Sequence, residues 1–288
     1  MTLKGACLYG ERRLEEAGVS EFKLNAWLLL EYVSGRTRSH YLAYPEEELS
    51  QKEEQDFLRV LKLRCKRIPL QYITGVQEFM GYTFTVNDRV LIPRQDTELL
   101  VEEVLKYLKP GMHFLDLCTG SGCILLSLLM ECPKASGMGT DVSPRALSVA
   151  RKNRESLGRE ALLIESDLFE QINGTFDVIV SNPPYIRSGD ISELMEEVRN
   201  YEPLSALDGH EDGLYFYRKI AMESPSYLKA GGRLYLEIGY DQGLSVPKLL
   251  EEQGFCEIEV KKDLAGHDRV VKGTYPGYYE TGMEEQNV

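Results

Sequence analysis

Leu24, Ala26, Trp27, Leu28, Leu29, Leu30 and Val33 form a stretch too apolar for a surface helix, and it reads as the central element of a small helical bundle. Ser50 followed by Glu53 has the spacing of a capping box. Phe57, Leu58, Leu61 and Cys65 then recur at helical intervals up to the stop at Pro69, which predicts a second helix. From Gln71 the period changes. Tyr82, Phe84 and Val86 alternate with Thr83 and Thr85, Asn87-Asp88 breaks the run, and Val90-Leu91-Ile92-Pro93 follows. The pattern predicts a β-hairpin bridging two domains, with the boundary between Gly75 and Arg94.

A helix is predicted after Thr97 through Leu108, ending at Pro110-Gly111, and short apolar runs then alternate with helical patterns. Strands are predicted at Met112 to Leu117, Ser136 to Thr140, Leu162 to Glu165, Phe176 to Ser181, Gly232 to Ile238, Cys256 to Lys261 and Arg269 to Val271. Helices between them run near Cys123 to Met130, Pro144 to Ser156, Leu214 to Leu228 and Leu244 to Gln253. Such alternation implies an α/β fold with a mostly parallel sheet covered on both faces. The last two strands have no helix between them, which predicts an antiparallel hairpin at the sheet edge. The expected layout is a helical N-terminal domain over 1–75, a hairpin linker over 76–94, an α/β domain over 95–279 and a polar tail over 280–288.

Hydrophobic content of 43% and charged content of 27% are ordinary for a globular protein with a buried core. The net charge of −13 opposes non-specific binding to nucleic acid and favours a protein or small-molecule substrate. The cluster Arg59, Lys62, Arg64, Lys66 and Arg67 reads as the solvated face of a helix. Neither a signal peptide nor a run of about 18 apolar residues is found, so a cytoplasmic protein without a membrane partner is expected. The six cysteines lack C-x-x-C spacing and read as reduced packing residues, with no metal site expected.

Phe114-Leu115-Asp116-Leu117-Cys118-Thr119-Gly120-Ser121-Gly122 ends an apolar strand in a glycine turn and opens a helix, as a nucleotide-binding crossover does. A dinucleotide fingerprint needs a third glycine where Leu125 stands, so a pyrophosphate cradle is disfavoured. Asp141 ends the next strand about 20 residues on, where a carboxylate can accept hydrogen bonds from ribose hydroxyls. The third strand ends in Ser166-Asp167-Leu168-Phe169, placing an acid and apolar groups at the same sheet edge. This arrangement resembles the class I methyltransferases with a Rossmann-like fold. The resemblance implies S-adenosyl-L-methionine as cofactor and S-adenosyl-L-homocysteine as product. The residues it implicates are Asp116, Cys118, Thr119, Gly120, Ser121, Gly122, Asp141, Asp167, Leu168 and Asn182.

The buried strand Phe176 to Ser181 delivers Asn182-Pro183-Pro184-Tyr185 to that edge. An amide nitrogen is a poor nucleophile because its lone pair is shared with the carbonyl, the resonance whose rotation barrier is ~18–20 kcal/mol in a peptide. The Asn182 side-chain oxygen and the Pro183 main-chain oxygen can each accept one N–H of a substrate NH₂ and orient it for attack on a methyl. Proline stiffens the turn and brings no competing N–H, and Tyr185 offers a flat face for a planar group. No strong general base is required. The motif resembles that of amino-methyltransferases acting on adenine, cytosine or glutamine.

Further stretches resemble the release-factor glutamine methyltransferase family: Pro69 to Gly75, Val90 to Glu98, Tyr201-Glu202-Pro203, Asp212-Gly213-Leu214, Glu237-Ile238-Gly239 with Gln242, and Lys262 to Arg269. The likeness covers Gly18 to Gly273. It implies N5 methylation of the glutamine in the Gly-Gly-Gln loop of peptide chain release factors, recruited with help from the helical domain, and no nucleic acid substrate. Gln95 departs from the family's usual proline, and Leu168 stands where some members carry an aromatic residue. Glu237 can orient substrate or loop, or act as a structural acceptor, and His267 reads as loop structure. The competing readings are a ribosomal-protein glutamine methyltransferase, a DNA or RNA adenine methyltransferase, which requires base flipping and usually a basic surface, and a non-catalytic cofactor-binding adaptor.

Overall fold

The computed structural model describes residues 1–277; the predicted polar tail lies outside the described residues. Helix α1 (Leu3–Glu16) begins at Thr2, whose hydroxyl accepts the Gly5 N–H at 3.1 Å. Helix α2 (Phe22–Ser34) stops at Gly35 in the left-handed conformation, and α3 (Arg38–Ala43) follows. The predicted capping box opens α4 (Gln51–Cys65): Ser50 Oγ accepts from Glu53 N at 3.2 Å and Glu53 Oε2 from Ser50 N at 2.7 Å. A short α5 (Leu70–Thr74) ends this stretch. Leu14, Trp27, Leu30, Phe57 and Leu61 form its core; of the apolar stretch predicted as the bundle's centre, Ala26, Trp27, Leu29 and Leu30 are buried, Leu28 and Val33 are partly buried, and Leu24 is exposed, because one face of α2 turns away from the other helices.

Strands β1 (Val76–Phe79) and β2 (Tyr82–Thr85) form the hairpin, one step earlier in the chain than predicted. The two-residue turn is Met80-Gly81, both at positive φ (52° and 76°), the geometry that matches the twist of paired strands. Asn87-Asp88 is not the hairpin turn, and Val90-Leu91-Ile92-Pro93 forms no strand.

The rest of the chain runs α6 (Asp96–Leu105), β3 (His113–Leu117), α7 (Cys123–Glu131), β4 (Ser136–Asp141), α8 (Pro144–Ser156), β5 (Leu162–Glu165) and β6 (Phe176–Ser181). After these come α9 (Glu196–Tyr201), α10 (Tyr215–Glu223), β7 (Leu228–Glu237), α11 (Ser245–Glu252), β8 (Cys256–Lys262) and β9 (Asp268–Thr274). The seven-stranded sheet has the order β5-β4-β3-β6-β7-β9-β8. β9 runs antiparallel to both of its neighbours, β7 and β8, and with β8 makes the predicted terminal hairpin. Alternate strand residues feed two cores: Phe114, Val178, Val180 and Tyr235 one, Leu115, Leu117, Ile179, Leu234 and Leu236 the other. Both faces are therefore covered.

The missing third glycine of a dinucleotide fingerprint has a packing counterpart. A Cβ at Gly137 or Gly139 of β4 would lie 2.7 or 2.8 Å from a methyl of Leu125. Close approach of helix to sheet is kept, with the small residue on the strand and the large one on the helix. The order reverses at β3, whose neighbours are β4 and β6, so a crevice opens at the carboxyl ends of these strands.

The chain clusters into two units. One comprises Met1–Val76, Val86–Asp88 and Leu194–Glu202; the other comprises Gln77–Thr85, Arg89–Glu193 and the chain from Pro203 onward. Helix α9 thus belongs with the helical unit, through a buried ion cluster. Glu197 Oε1 accepts from Arg64 Nη2 and Arg67 Nε, each at 2.8 Å, and its Oε2 accepts from Arg67 Nη2 at 2.5 Å. Burial pushes the Glu197 carboxyl up, but the hydrogen bonds from Arg67 and Arg64 outweigh it and bring it to about 2. Arg64 and Arg67 are accordingly ion-pair partners and not part of a solvated face. Among the described residues, no helix is long and apolar enough to cross a membrane.

Candidate active site

The turn after β3 is held by backbone conformations that most side chains resist. Cys118, Gly120 and Gly122 all have positive φ, and for Cys118 the left-handed region costs roughly 1–2 kcal/mol. Such strain persists where surrounding bonds over-determine it. Thr119 N donates to Thr140 O at 2.8 Å, tying the turn to β4, and Thr119 Oγ1 donates to Asp116 Oδ2 at 2.6 Å. Cys118, Thr119, Gly120 and Ser121 line a cavity at the sheet edge. Asp116 is fully buried behind them and does not line it. Burial pushes the Asp116 carboxyl up to about 7, with the Thr119 hydroxyl pulling the other way. Its Oδ1 has no partner, so it shapes the turn through Thr119. Gly122 also lies outside the cavity wall, at the helix start.

Asp141 reaches the cavity from the end of β4. Its Oδ2 accepts from Gly120 N and its Oδ1 from Ser143 N, both at 2.9 Å. Burial raises its pKa against the pull of these two N–H groups. Each carboxylate oxygen keeps a second lone pair for a ligand hydroxyl. Ser166, Asp167 and Leu168 close the next side, with Leu168 at φ 48° and its carbonyl accepting from Ser166 Oγ at 2.9 Å. Phe216 of α10 also lines the cavity.

Strand β6 brings Asn182 and Pro184 to the same wall. Pro183 is buried, and Tyr185 is half-buried with its hydroxyl donating to Glu237 Oε1 at 3.4 Å. Burial raises the Tyr185 phenol far above its usual range, so it stays neutral. The backbone of this segment is clamped. Gln242 Nε2 donates to Tyr185 O at 3.2 Å and to Gly213 O at 3.1 Å, while Gln242 Oε1 accepts from Gly239 N at 2.8 Å. Gly209 and Gly213 press against the other side, where added Cβ atoms would lie 2.7 Å from Tyr185 Cα and 2.5 Å from Tyr185 O.

Further residues line the cavity: Ser143 and Phe216, which the sequence reading left unassigned, and Val90, Pro93, Arg94 and Thr97, which fall in the family-like stretch Val90 to Glu98. Thr97 accepts a hydrogen bond from Asn182 Nδ2 at 3.3 Å. Thr97, Gly213 and Gln242 all fall within stretches that carry the family likeness, the one signal that marked them.

Comparison with known proteins bears on what this cavity handles. The family described as "PrmC N-terminal domain" matches residues 6–75, and "Methyltransferase small domain" matches 94–199. A release factor glutamine methyltransferase from Agrobacterium fabrum is 39% identical, covering 94% of this chain and 96% of its own length. The enzyme of the same name from Geobacter sulfurreducens is 42% identical, covering 90% and 92%. Among solved structures, a methyltransferase from Pyrococcus furiosus matches with a TM-score of 0.52 at 20% identity, over 68% of this chain and 89% of its own, a likeness of fold.

Proposed function

The chain belongs to the release factor glutamine methyltransferase family, and from that premise we infer how this site methylates the N5 amide nitrogen of a protein glutamine. The substrate is the glutamine of the Gly-Gly-Gln motif in peptide chain release factors, modified in the cytoplasm. The observation that carries the reading is that Asn182 stands on the wall of the same cavity as Gly120 and Asp141.

The residues present fit S-adenosyl-L-methionine. Asp141 is pre-aligned by two backbone N–H groups and can still accept from ribose hydroxyls. Leu168 and Phe216 offer apolar faces to a flat base, and Cys118 to Ser121 put backbone at contact distance. When bound, the cofactor supplies an electrophilic sulfonium methyl and leaves as S-adenosyl-L-homocysteine. The chain's own work is orientation. Asn182 Oδ1 and the Pro183 carbonyl each accept one N–H of the glutamine NH₂, which turns the nitrogen lone pair toward the methyl. Tyr185 flanks the planar amide, and neither proline offers a competing donor. The alkylated nitrogen is acidic and gives its proton to water. Exposed Leu8, Tyr32, Leu42 and Tyr44 support assigning recruitment of the release factor to the helical unit.

The test is intact-mass and fragment analysis of a release factor incubated with this protein and S-adenosyl-L-methionine, with ribosomal protein and adenine-containing DNA in parallel. One methyl on the Gly-Gly-Gln glutamine is expected. Transfer only to the ribosomal protein or the DNA overturns the substrate, and transfer to none overturns the activity.

A further inference from the structure

Asn153 lies in the last turn of α8 with 1% of its surface exposed, and its carboxamide bonds to the backbone of two other segments. Oδ1 accepts from Thr85 N at 2.7 Å, while Nδ2 donates to Thr85 O at 3.0 Å and to Ser121 O at 2.9 Å. Only one orientation of the amide satisfies this set, because the Thr85 N–H needs an oxygen and the two carbonyls need the NH₂. The side chain thus pairs with Thr85 as a neighbouring strand residue would, and its second proton reaches the glycine turn after β3.

Each end of this bridge belongs to a wall of the cavity. Ser121 lines it, within the turn whose Cys118, Gly120 and Gly122 are held at positive φ. The Ser121–Gly122 peptide is fixed at both of its polar atoms: Ser121 O accepts from Asn153, and Gly122 N donates to Thr119 O at 2.8 Å. Strained turns persist where such bonds over-determine them. On the other side Thr85 ends β2, and four residues later the chain begins the stretch that lines the cavity with Arg89, Val90, Leu91, Pro93 and Arg94. Helix α8 comes close enough for the bridge because Gly122 has no side chain: a Cβ there would lie 3.3 Å from Ala150 Cβ, less than a turn before Asn153. The N-cap of the same helix, Ser143, donates its N–H to Asp141, so α8 supports the cavity from its N-cap and from its last turn.

Resting on the reading of this cavity as the S-adenosyl-L-methionine site, we propose that Asn153 is a positioning residue for cofactor binding. Its carboxamide ties the Ser121 carbonyl of the glycine turn to the Thr85 end of the hairpin and so fixes two walls of the cavity before the cofactor enters. Backbone that is already ordered loses little freedom when a ligand arrives, and affinity rises accordingly. Asn153 itself does not line the cavity, and it bonds to no part of the Asn182-Pro183-Pro184-Tyr185 segment. Its effect therefore falls on cofactor affinity and not on the transfer step.

The experiment compares the wild type with Asn153→Ala and with Arg154→Ala. Arg154 is the control: it is the next residue of the same helix, and its Nη1 donates to Ala161 O at 3.0 Å, outside both walls. Calorimetric titration with S-adenosyl-L-homocysteine should show affinity lower by on the order of tenfold in Asn153→Ala and within about threefold of wild type in Arg154→Ala. In turnover with a release factor, the KM for S-adenosyl-L-methionine should rise by a similar factor while kcat at saturating cofactor stays within about threefold. Wild-type affinity in Asn153→Ala, an equal loss in Arg154→Ala, or a fall in kcat as large as the rise in KM overturns the proposal. If Asn153→Ala does not fold, Asn153→Asp takes its place: it keeps the volume and the acceptor for Thr85 N but loses the donor to Ser121 O, and the same loss of affinity is expected. Amide hydrogen exchange in the ligand-free protein checks the bridge without any cofactor. The Gly122 N–H should exchange at least about tenfold faster in Asn153→Ala than in the wild type, and at the wild-type rate in Arg154→Ala. No binding of either S-adenosyl compound to the wild type refutes the reading of the cavity, and equal Gly122 exchange in wild type and Asn153→Ala refutes the bridge, so the two failures are told apart.

Discussion

Gly213→Ala isolates what holds the Asn182-Pro183-Pro184-Tyr185 segment in place. The new Cβ would sit 2.5 Å from Tyr185 O and 2.9 Å from Gln242 Nε2, where ordinary contact begins at 3.4 Å. Tyr185 O is backbone, so the segment has to move by about 0.9 Å to accept the methyl. The two Gln242 hydrogen bonds that converge there, at 3.2 and 3.1 Å, stretch with it, at a cost of about 1 kcal/mol each. The φ of 73° adds roughly 1–2 kcal/mol of backbone strain. A misplacement of about 1 Å at a reacting group lowers rate by on the order of 100-fold. The expected result is a 10- to 100-fold lower kcat, with cofactor affinity by calorimetry within about threefold, because the turn after β3 and Asp141 are untouched. Gly254→Ala is the control: its φ is 82° with nothing within 4 Å, so it carries the strain without the clash and should lose about 1 kcal/mol of stability and no activity. Gly213→Ala turning over at the wild-type rate, or Gly254→Ala losing as much, would refute the clamp.

Asn182→Ala should lower kcat by roughly 100-fold or more while cofactor affinity moves only a few-fold, and equal losses in both would remove Asn182 from its role. Asp141→Asn keeps the volume but turns an NH₂ toward one of the two backbone N–H groups, so cofactor affinity by calorimetry should fall at least about tenfold; an unchanged value contradicts the ribose assignment. Glu197→Gln leaves buried Arg64 and half-buried Arg67 without a counter-ion and should cost about 3 kcal/mol in urea unfolding. The single tryptophan, Trp27, is buried in the helical unit and reports that transition by fluorescence. Because the folded carboxyl lies at about 2, below its ordinary value of 4.5, its contribution is present above pH 4.5 and lost as pH falls toward 2. The gap between wild type and Glu197→Gln should therefore narrow by pH 3, and a gap independent of pH would exclude the ion cluster as its source.

Local features were legible in the chain without its fold. Period and capping marked α2 and α4, alternation of apolar runs marked the parallel sheet, and the turn chemistry after β3 and β6 placed Gly120, Asp141 and Asn182 at one edge. These signals are legible because strand direction and side-chain alternation act within a few residues. Tertiary structure decided what depends on groups far apart in the chain. It put Asp116 behind the cavity wall, moved the hairpin turn to Met80-Gly81, and joined Glu197 to Arg64 and Arg67 across more than a hundred residues. It also closed Thr97, Glu237, Gly213 and Gln242 around Asn182 and Tyr185. A buried polar group must find a partner wherever the fold brings one, and no local pattern records which partner that is.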